Sequence, residues 1–348
     1  MAKAKNKSRG MAWRIVLLLL VLGLAASAVV VSELWRQYQV FKDQPLAATQ
    51  NERVLEVKPG DSFISVLRRM RAIGIDEGHD WQWRVLAFEL KVLERLQVGE
   101  YTVGYGISPQ QLLRKLEQGH VIQYRFTLVE GWSMRDLRAA LANQDALGQT
   151  LADMDDAALM VALDRPGVHV EGRFLPETYH YTRGVRDIDL LKRAALAMDT
   201  ALSTAWAERD DDLPLQSPEQ ALVLASIVEK ETGRASERAQ IAGVFIRRLR
   251  MGMRLQTDPT VIYGLGEGFD GNLRRRDLQT DTPYNTYTRA GLPPTPIAMP
   301  GRDALLAAVH PEPGKSLYFV ARGDGSHYFS ATLSEHNRAV AKYQLGRQ

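Results

Sequence analysis

The first feature of the hydrophobic pattern is an uninterrupted apolar segment near the N-terminus. No charged residue occurs over 15–32, and leucine and valine fill most of these positions. With the two apolar residues at 12–13, the segment approaches the roughly 20 residues that a helix needs to cross a bilayer. Cations precede it without any acidic residue, and they are Lys3, Lys5, Lys7, Arg9 and Arg14. This asymmetry predicts a cytoplasmic tail over 1–12, a membrane anchor over 13–32 and an exported body.

A second interpretation of the same segment is a cleavable secretory signal. The sequence Ala26-Ser27-Ala28 fits the small-residue pattern of a cleavage site. The apolar run nevertheless continues past this site through Val31, which lengthens it towards a true membrane span. We therefore favour a retained anchor, and both interpretations export the body of the chain.

Beyond the anchor, the polar and irregular stretch over 33–52 is typical of a spacer. One pattern then occurs three times: a strand-like apolar run, a Gly-x-Ser sequence, and Leu or Val four residues after the serine. The three serines are Ser62, Ser108 and Ser133. Each copy predicts a strand, a glycine turn and a serine that caps an amphipathic helix. We expect an α+β chain with a small α/β module over 53–123 and a larger mixed α/β domain over 124–348.

A strongly apolar helix is predicted to begin near residue 217. Ser217 and Pro218 are a typical N-cap and first helical residue. Over 221–228 nearly every position except Ser226 is apolar, so this helix should be buried on several sides. We expect Gly233 to supply its C-terminal cap.

Two carboxylates, Glu229 and Glu231, end this helix, and their helical neighbours differ. Glu231 lies over Ile227 and Val228, whereas Glu229 lies over smaller residues. Glu231 therefore continues the bulkier apolar stripe. An apolar environment raises the pKa of a carboxyl group, which allows it to donate a proton near neutral pH. The alternative interpretation is an ordinary exposed helix end.

The composition excludes several kinds of chemistry. The 348 residues include no cysteine, which excludes disulfides, thiolate nucleophiles and zinc–thiolate sites. The seven histidines show no close metal-ligand spacing. The five N-terminal cations exceed the net charge of +3 and leave −2 for the rest of the chain, so no basic nucleic-acid surface is indicated.

Motifs of other enzyme classes are missing or incomplete. The chain contains neither Gly-x-Ser-x-Gly nor a Ser-x-x-Lys helix start, which argues against a serine acyl hydrolase. Gly314, Lys315 and Ser316 match the end of a phosphate-binding loop, but Val309 occupies the position of its first glycine. By contrast, the loops over 282–301 contain Tyr284, Asn285, Tyr287 and several threonines, which suits carbohydrate binding.

Several segments resemble the YceG-like family of endolytic murein transglycosylases. The matching segments are 171–172, 176–179, 225–232, 236–238, 248–249, 252–264, 284–287, 291–294, 297–301 and 310–311. The resemblance extends over nearly the whole chain and includes the anchor and a LysM-like region around 57–67. Residues 173–175 depart mildly from the more aromatic segment of many relatives.

This resemblance implies an enzyme that cuts peptidoglycan glycan strands internally, between N-acetylmuramic acid and N-acetylglucosamine, and leaves 1,6-anhydromuramyl ends. The family's essential acid corresponds to Glu231. The substrate-binding residues that we expect from the matching segments are Glu177, Tyr179, Gln256, Asp258, Tyr284, Asn285 and Tyr287. No cofactor or metal is implied.

The resemblance also implies a LysM-like module over 53–123 and a transglycosylase domain over 124–348. It places the chain in the bacterial inner membrane by a single pass, with a cytoplasmic N-terminus and a periplasmic body. Peptidoglycan synthases and the elongation or division machinery are implied partners, and termination of nascent strands is the implied role. A competing hypothesis is a non-catalytic peptidoglycan-binding scaffold, in which Glu231 would be structural.

Overall fold

The computed structural model describes residues 5–46 and 52–346. These residues form helices and short antiparallel strand pairs, and the chain divides into two compact units, Met1–Gln123 and Tyr124–Gln348. The fold is therefore mixed α/β with one apolar N-terminal helix. Residues 47–51, part of the predicted spacer, and residues 1–4 and 347–348 lie outside the described residues.

The first unit combines a long helix with a small α/β module. Its elements are α1 (Lys5–Asp43), β1 (Arg53–Val57), α2 (Phe63–Ala72), α3 (Asp80–Glu89), α4 (Val92–Arg95), β2 (Gly99–Val103) and α5 (Pro109–Gln118). β1 pairs with β2 antiparallel, with Leu55 opposite Tyr101. Both residues are fully buried beneath α2, α3 and α5. Among the described residues, α1 alone is long and apolar enough to cross a membrane.

The predicted irregular spacer differs from the structure in its first part. Instead of ending near residue 32, α1 continues as a regular helix to Asp43. Tyr38 and Phe41, which the sequence interpretation placed in a polar spacer, are buried in the core of the first unit. Their burial explains the extension, because two aromatic side chains on one helical face gain a packed environment.

The second unit holds the remaining elements around two hydrophobic clusters. They are β3 (Tyr124–Thr127), α6 (Met134–Ala142), α7 (Asp156–Ala162), β4 (Thr178–Tyr181), α8 (Asp187–Ala207), α9 (Pro218–Glu231), α10 (Arg238–Arg250), α11 (Asp258–Leu265), α12 (Arg275–Gln279), α13 (Arg302–Val309), β5 (Tyr318–Ala321), β6 (His327–Ser330) and α14 (Leu333–Tyr343). β3 pairs with β4, and β5 pairs with β6, both antiparallel. α9 lies in the centre of one cluster and packs against α8, α10 and α13.

The three predicted Gly-x-Ser turns are confirmed. Ser62, Ser108 and Ser133 are the N-caps of α2, α5 and α6, and each side chain accepts a hydrogen bond from the backbone N–H three residues later. The glycine of each turn has φ between 76° and 80°, a left-handed conformation that favours glycine. The repeated sequence pattern therefore corresponds to the same local structure, a glycine turn followed by a serine N-cap, at three places in the chain.

Candidate active site

The C-terminal end of α9 is the centre of the candidate site. Ser217 caps the start of α9 by accepting a hydrogen bond from Gln220 N, as predicted, and the residues over 221–228 are all buried. The predicted cap at Gly233 is wrong, because Thr232 already has an extended conformation, with φ −145° and ψ 135°. The extended backbone ends α9 directly after Glu231.

Glu231 is half-buried and accepts a hydrogen bond from the hydroxyl of Thr257. Thr257, directly before Asp258, occupies the N-cap position of α11. Its side chain makes no capping bond, and its backbone N–H donates to Thr286 Oγ1 at 3.0 Å. The hydroxyl that would ordinarily cap α11 is thus directed at Glu231.

Burial raises the pKa of Glu231 to about 7, and the negative charge of Asp258 acts in the same direction. The hydrogen bond from Thr257 opposes this increase, as do the positive charges of His327 and Arg248. A carboxyl group with a pKa near 7 is partly protonated at neutral pH. It can therefore donate a proton in one step and accept one in the next.

Glu231 opens into a cleft of about 460 Å³. Side chains from α11, α14, β5, β6 and the 287 loop surround this cleft. Its lining residues are Glu231, Arg248, Leu255, Gln256, Thr257, Asp258, Tyr287, Tyr318, Phe319, Val320, Ala321, His327, Leu333, His336, Val340 and Gln344. Polar and aromatic groups thus converge on one carboxyl group, the arrangement expected for a binding site.

Three of the sequence-predicted binding residues line this cleft together with Glu231. They are Gln256, Asp258 and Tyr287. The Tyr287 hydroxyl donates a hydrogen bond to Asp258 Oδ1 at 2.5 Å, and burial raises the pKa of Tyr287. Gln256 has φ 48°, an uncommon left-handed conformation for a residue with a side chain, and its backbone N–H donates to Thr286 O at 3.1 Å. The hydrogen bond to Thr286 therefore helps to hold Gln256 in a left-handed conformation in the cleft that Glu231 lines.

Glu177 and Tyr179 lie away from the cleft lining. Tyr179 is buried in the other hydrophobic cluster of this unit, and its hydroxyl donates to Leu175 O at 2.6 Å. Glu177 is exposed, and its Oε1 accepts hydrogen bonds from both Nε and Nη2 of Arg302, at 3.0 and 2.8 Å. In this structure, Tyr179 packs in the core and Glu177 forms an ion pair with Arg302 of α13.

Tyr284 and Asn285 are also outside the cleft lining and stabilise the neighbouring loop. The Asn285 side chain is fully buried and donates to three backbone carbonyls at the end of α12, and its Oδ1 accepts from Tyr287 N at 2.9 Å. Tyr284 packs edge-to-face on Tyr263 and shares a hydrogen bond of 2.8 Å with Thr295. Asn285 thus fixes the backbone that carries Tyr287 into the cleft.

Sequence reasoning did not identify the residues that β5 and β6 bring to the cleft. His327 shares a 2.7 Å hydrogen bond between its Nδ1 and Glu237 Oε2, and its backbone N–H donates to the other Glu237 oxygen. Arg248 stacks over the ring of Tyr318 with its guanidinium carbon 5.0 Å from the centroid. Tyr318 and His327 are distant from Glu231 in sequence, and no local pattern marks them, whereas Arg248 lies on α10 in one of the matching segments.

Glu229, two residues before the candidate acid, has different partners. Its side chain is only 5% exposed and accepts hydrogen bonds from Arg238 Nη2 at 3.2 Å and Gly301 N at 2.9 Å. Arg238 also contacts Glu130 at 3.2 Å. Glu229 therefore belongs to a buried ion-pair network that connects α9, α10 and the start of α13.

Another carboxyl group, Glu171, is buried in the second unit without lining the cleft. Its two oxygens accept hydrogen bonds from Met134 N at 3.1 and 3.2 Å. Burial raises the pKa of Glu171 to about 7, although hydrogen bonds from Met134 and Tyr263 oppose the increase. Within 5–46 and 52–346, no group of three histidine or acidic side chains is arranged to hold a metal ion.

Comparison with known proteins gives concordant similarities. The model of the YceG-like family matches residues 55–342. An endolytic murein transglycosylase of Bacillus subtilis (strain 168) is 32% identical over 265 residues, which cover 71% of this chain and 73% of that protein. An endolytic murein transglycosylase of Streptococcus pneumoniae is 26% identical over 282 residues, covering 71% of this chain and 51% of that protein. The crystal structure of a YceG-like protein from Listeria monocytogenes aligns with a TM-score of 0.53 and 28% identity, over 84% of this chain and 100% of that one.

Proposed function

The chain belongs to the YceG-like family, and from this premise we propose that it is an endolytic murein transglycosylase whose catalytic acid is Glu231. Its curated relatives carry that name, and peptidoglycan is accordingly the substrate. The observation that carries the assignment of Glu231 is its position: a carboxyl group with a pKa of about 7 opens into a polar and aromatic cleft. The bond cut is the one between N-acetylmuramic acid and N-acetylglucosamine.

In the first step Glu231 donates its proton to the glycosidic oxygen as the bond to C1 of the muramyl residue breaks. Burial keeps a substantial fraction of Glu231 protonated at neutral pH, which is the form required for donation. The Thr257 hydroxyl orients the carboxyl group through its hydrogen bond to one oxygen. We assign the other oxygen to the substrate.

In the second step the resulting Glu231 carboxylate accepts the proton of the muramyl C6 hydroxyl, whose oxygen attacks C1 of the same sugar. The product is a 1,6-anhydromuramyl end, and no water enters the reaction. One carboxyl group performs both proton transfers in turn, in contrast to most glycosidases, which use two. The Thr257 hydrogen bond favours the carboxylate form and so supports this second role.

We assign Gln256, Asp258 and Tyr287 to the sugar subsites next to Glu231. Their amide, carboxylate and hydroxyl groups line the cleft and can hydrogen-bond to sugar hydroxyl and acetamido groups. Tyr318 and Phe319 add aromatic surface to the same cleft. Such surfaces pack against the apolar faces of sugar rings.

Product analysis tests this function. The purified full chain should release fragments from peptidoglycan that mass spectrometry shows to be lighter by one water than hydrolysis products. Glu231→Gln should release fragments about 10²–10⁴-fold more slowly, while its circular dichroism spectrum remains that of the parent chain. Reducing ends in place of anhydro ends would contradict the reaction, and no release by the parent chain would favour the scaffold hypothesis.

For the first unit, we propose that residues 53–123 form a LysM-like module that docks glycan. The arrangement of β1 and β2 around α2 and α3 supports this proposal, because it forms a compact module with its own core. Substitutions on its exposed surface should weaken binding to purified sacculi without unfolding it. Unchanged binding across a scan of that surface would argue against docking.

For localisation, we propose that α1 is retained as a single-pass anchor in the bacterial inner membrane, with the body in the periplasm. The apolar run and the cations before it support this orientation. N-terminal sequencing of membrane-extracted protein should begin at or near Met1, whereas a start at Val29 would indicate cleavage. We further propose that the enzyme terminates nascent strands beside peptidoglycan synthases, which crosslinking in cells can test.

A further inference from the structure

The helix that carries the apolar run enters the core of the first unit without a break. The run ends at Ser32, and α1 continues to Asp43. Tyr38 and Phe41, on this extension, are buried in the same cluster as Trp83. At 1.5 Å per residue, Tyr38 lies only about 9 Å beyond the end of the apolar run. The first unit is therefore attached close to the point where the run ends.

The contacts of α3 with this extension show which end of α3 lies nearer the apolar run. The ring of Phe41 meets the ring of Trp83 edge-to-face with centroids 5.1 Å apart. Closer to the apolar run, the Tyr38 hydroxyl donates a hydrogen bond to Glu89, the last residue of α3. Moving along α3 from Trp83 to Glu89 thus moves back along α1 towards the run. The C-terminal end of α3 points in that direction.

That end of α3 and the adjoining α4 expose large apolar side chains. Phe88 is 76% exposed, Leu93 is 48% exposed and Val85 is 41% exposed. Lys91, with φ 57°, forms the sharp turn between the two helices. We call these three exposed side chains, Val85, Phe88 and Leu93, the α3–α4 corner. Exposed apolar patches, when large, mark contacts with other proteins or with membranes.

We propose that the α3–α4 corner rests in the boundary between headgroups and acyl chains of the bilayer that α1 spans. The headgroup layer is about 5–7 Å thick on each side, and interfacial apolar surfaces sink about 5–10 Å into this boundary. Tyr38, about 9 Å beyond the run, contacts Glu89 beside the corner, so the corner lies within a few ångströms of the outer edge of the headgroup layer. The charges of Lys91 and Glu94 offset each other, so apolar burial drives the contact.

A second membrane contact would restrict rotation of the first unit about the α1 axis and hold it against the surface. This inference rests on the proposed membrane anchoring, and its test separates the two. Because the chain contains no cysteine, single cysteines can be labelled selectively in the full chain. Phe88→Cys reports on the corner, and Leu24→Cys reports on the middle of the apolar run.

Tyr105→Cys is the matched control, because Tyr105 is also an aromatic residue and is 82% exposed. It lies at the other end of the extension, where Leu46 N donates to Ile107 O at 2.9 Å. Each variant carries an environment-sensitive fluorophore in vesicles of phosphatidylethanolamine and phosphatidylglycerol. Lipids with a quencher at a shallow or a deep acyl position then report the depth of each label.

The expected result is quenching of the label at 88 by shallow quenchers, quenching at 24 by deep quenchers, and none at 105. Quenching at 24 without quenching at 88 would overturn the corner contact and leave the anchor intact. Lack of quenching at 24 would overturn the anchor and the corner contact together. Equal quenching at 88 and 105 would show that the fluorophore itself seeks the membrane and would also overturn the proposal.

Discussion

Two carboxyl groups at the end of α9, Glu229 and Glu231, share a helix turn but have different surroundings. They are about 200° apart around the helix axis. Glu229 faces α10 and accepts hydrogen bonds from Arg238 and Gly301. Glu231 faces a cleft and has Thr257 as its hydrogen-bond donor. Neighbouring elements, rather than the helix itself, give one carboxylate a structural role and the other the environment of an acid.

Glu171 adds a third case to this comparison. Its pKa is raised by burial to about 7, like that of Glu231, but it accepts hydrogen bonds from a helix N-terminus and does not line the cleft. A raised pKa therefore marks burial and does not by itself mark catalysis. Glu231 lines the cleft, whereas Glu171 does not. Glu229 differs from Glu231 in two ways, because it does not line the cleft and because it pairs with the positive charge of Arg238.

The largest expected effect is the loss of activity in Glu231→Gln. The amide keeps the size of the side chain but cannot donate a proton, so the rate of fragment release should fall about 10²–10⁴-fold. Glu229→Gln is the control, and per folded molecule it should retain most of the activity. A fragment-release assay on both variants measures this difference. Comparable losses in the two variants would contradict the assignment along α9.

The next effect concerns stability and comes from Glu171. Its pKa is raised from 4.5 to about 7 in the folded chain, so the folded state binds more protons between these values. The contribution of Glu171 to the free energy of unfolding is therefore largest below pH 4.5, and it falls by about 3 kcal/mol as pH rises to 7. Denaturant titrations across this range measure it.

Glu171→Gln is the comparison for this stability effect, because glutamine does not titrate and can still accept a hydrogen bond from Met134 N. The free energy of unfolding of the variant should fall less between pH 4.5 and 7 than that of the parent chain. Glu231 contributes in the same range in both proteins, so the difference isolates Glu171. Parallel stability curves for the two proteins would show that Glu171 does not titrate in this range.

A smaller effect is expected from Glu229→Gln on stability. The substitution removes the negative charge that faces Arg238 in a buried network, although Glu130 remains as a partner. We expect the free energy of unfolding to fall by about 1–3 kcal/mol, the usual cost of weakening a buried charged hydrogen bond. Chemical denaturation measures it, with exposed Glu267→Gln as a control. Unchanged stability would argue against a structural role for Glu229.

Local sequence patterns predicted much of the secondary structure and the central residue of the site. Ser62, Ser108 and Ser133 were identifiable because an N-cap and a glycine turn depend on a few adjacent residues. Glu231 was identifiable because residues three and four positions apart share a helix face. These features need no knowledge of distant contacts. The structure confirms the three serine caps and places Glu231 in the lining of a cleft.

Features that depend on distant contacts were not predictable in the same way. Tyr38 and Phe41 lie in a polar stretch, and their burial depends on α3 and α5. Tyr179 and Asn285 have side chains that suit sugar binding, yet the same groups equally suit a core and a loop, where the structure places them. His327 reaches the cleft only because β6 pairs with β5.

The pH dependence of kcat/KM for fragment release tests the central claim most directly. Since Glu231 must be protonated to donate, activity should decrease as pH rises through about 7. Thr257→Val removes a hydrogen bond that lowers the pKa of Glu231, so the decrease should move to higher pH, whereas Glu229→Gln should leave it in place. The opposite result would contradict Glu231 as the proton donor: the fall of kcat/KM would move to another pH in Glu229→Gln and would stay in place in Thr257→Val.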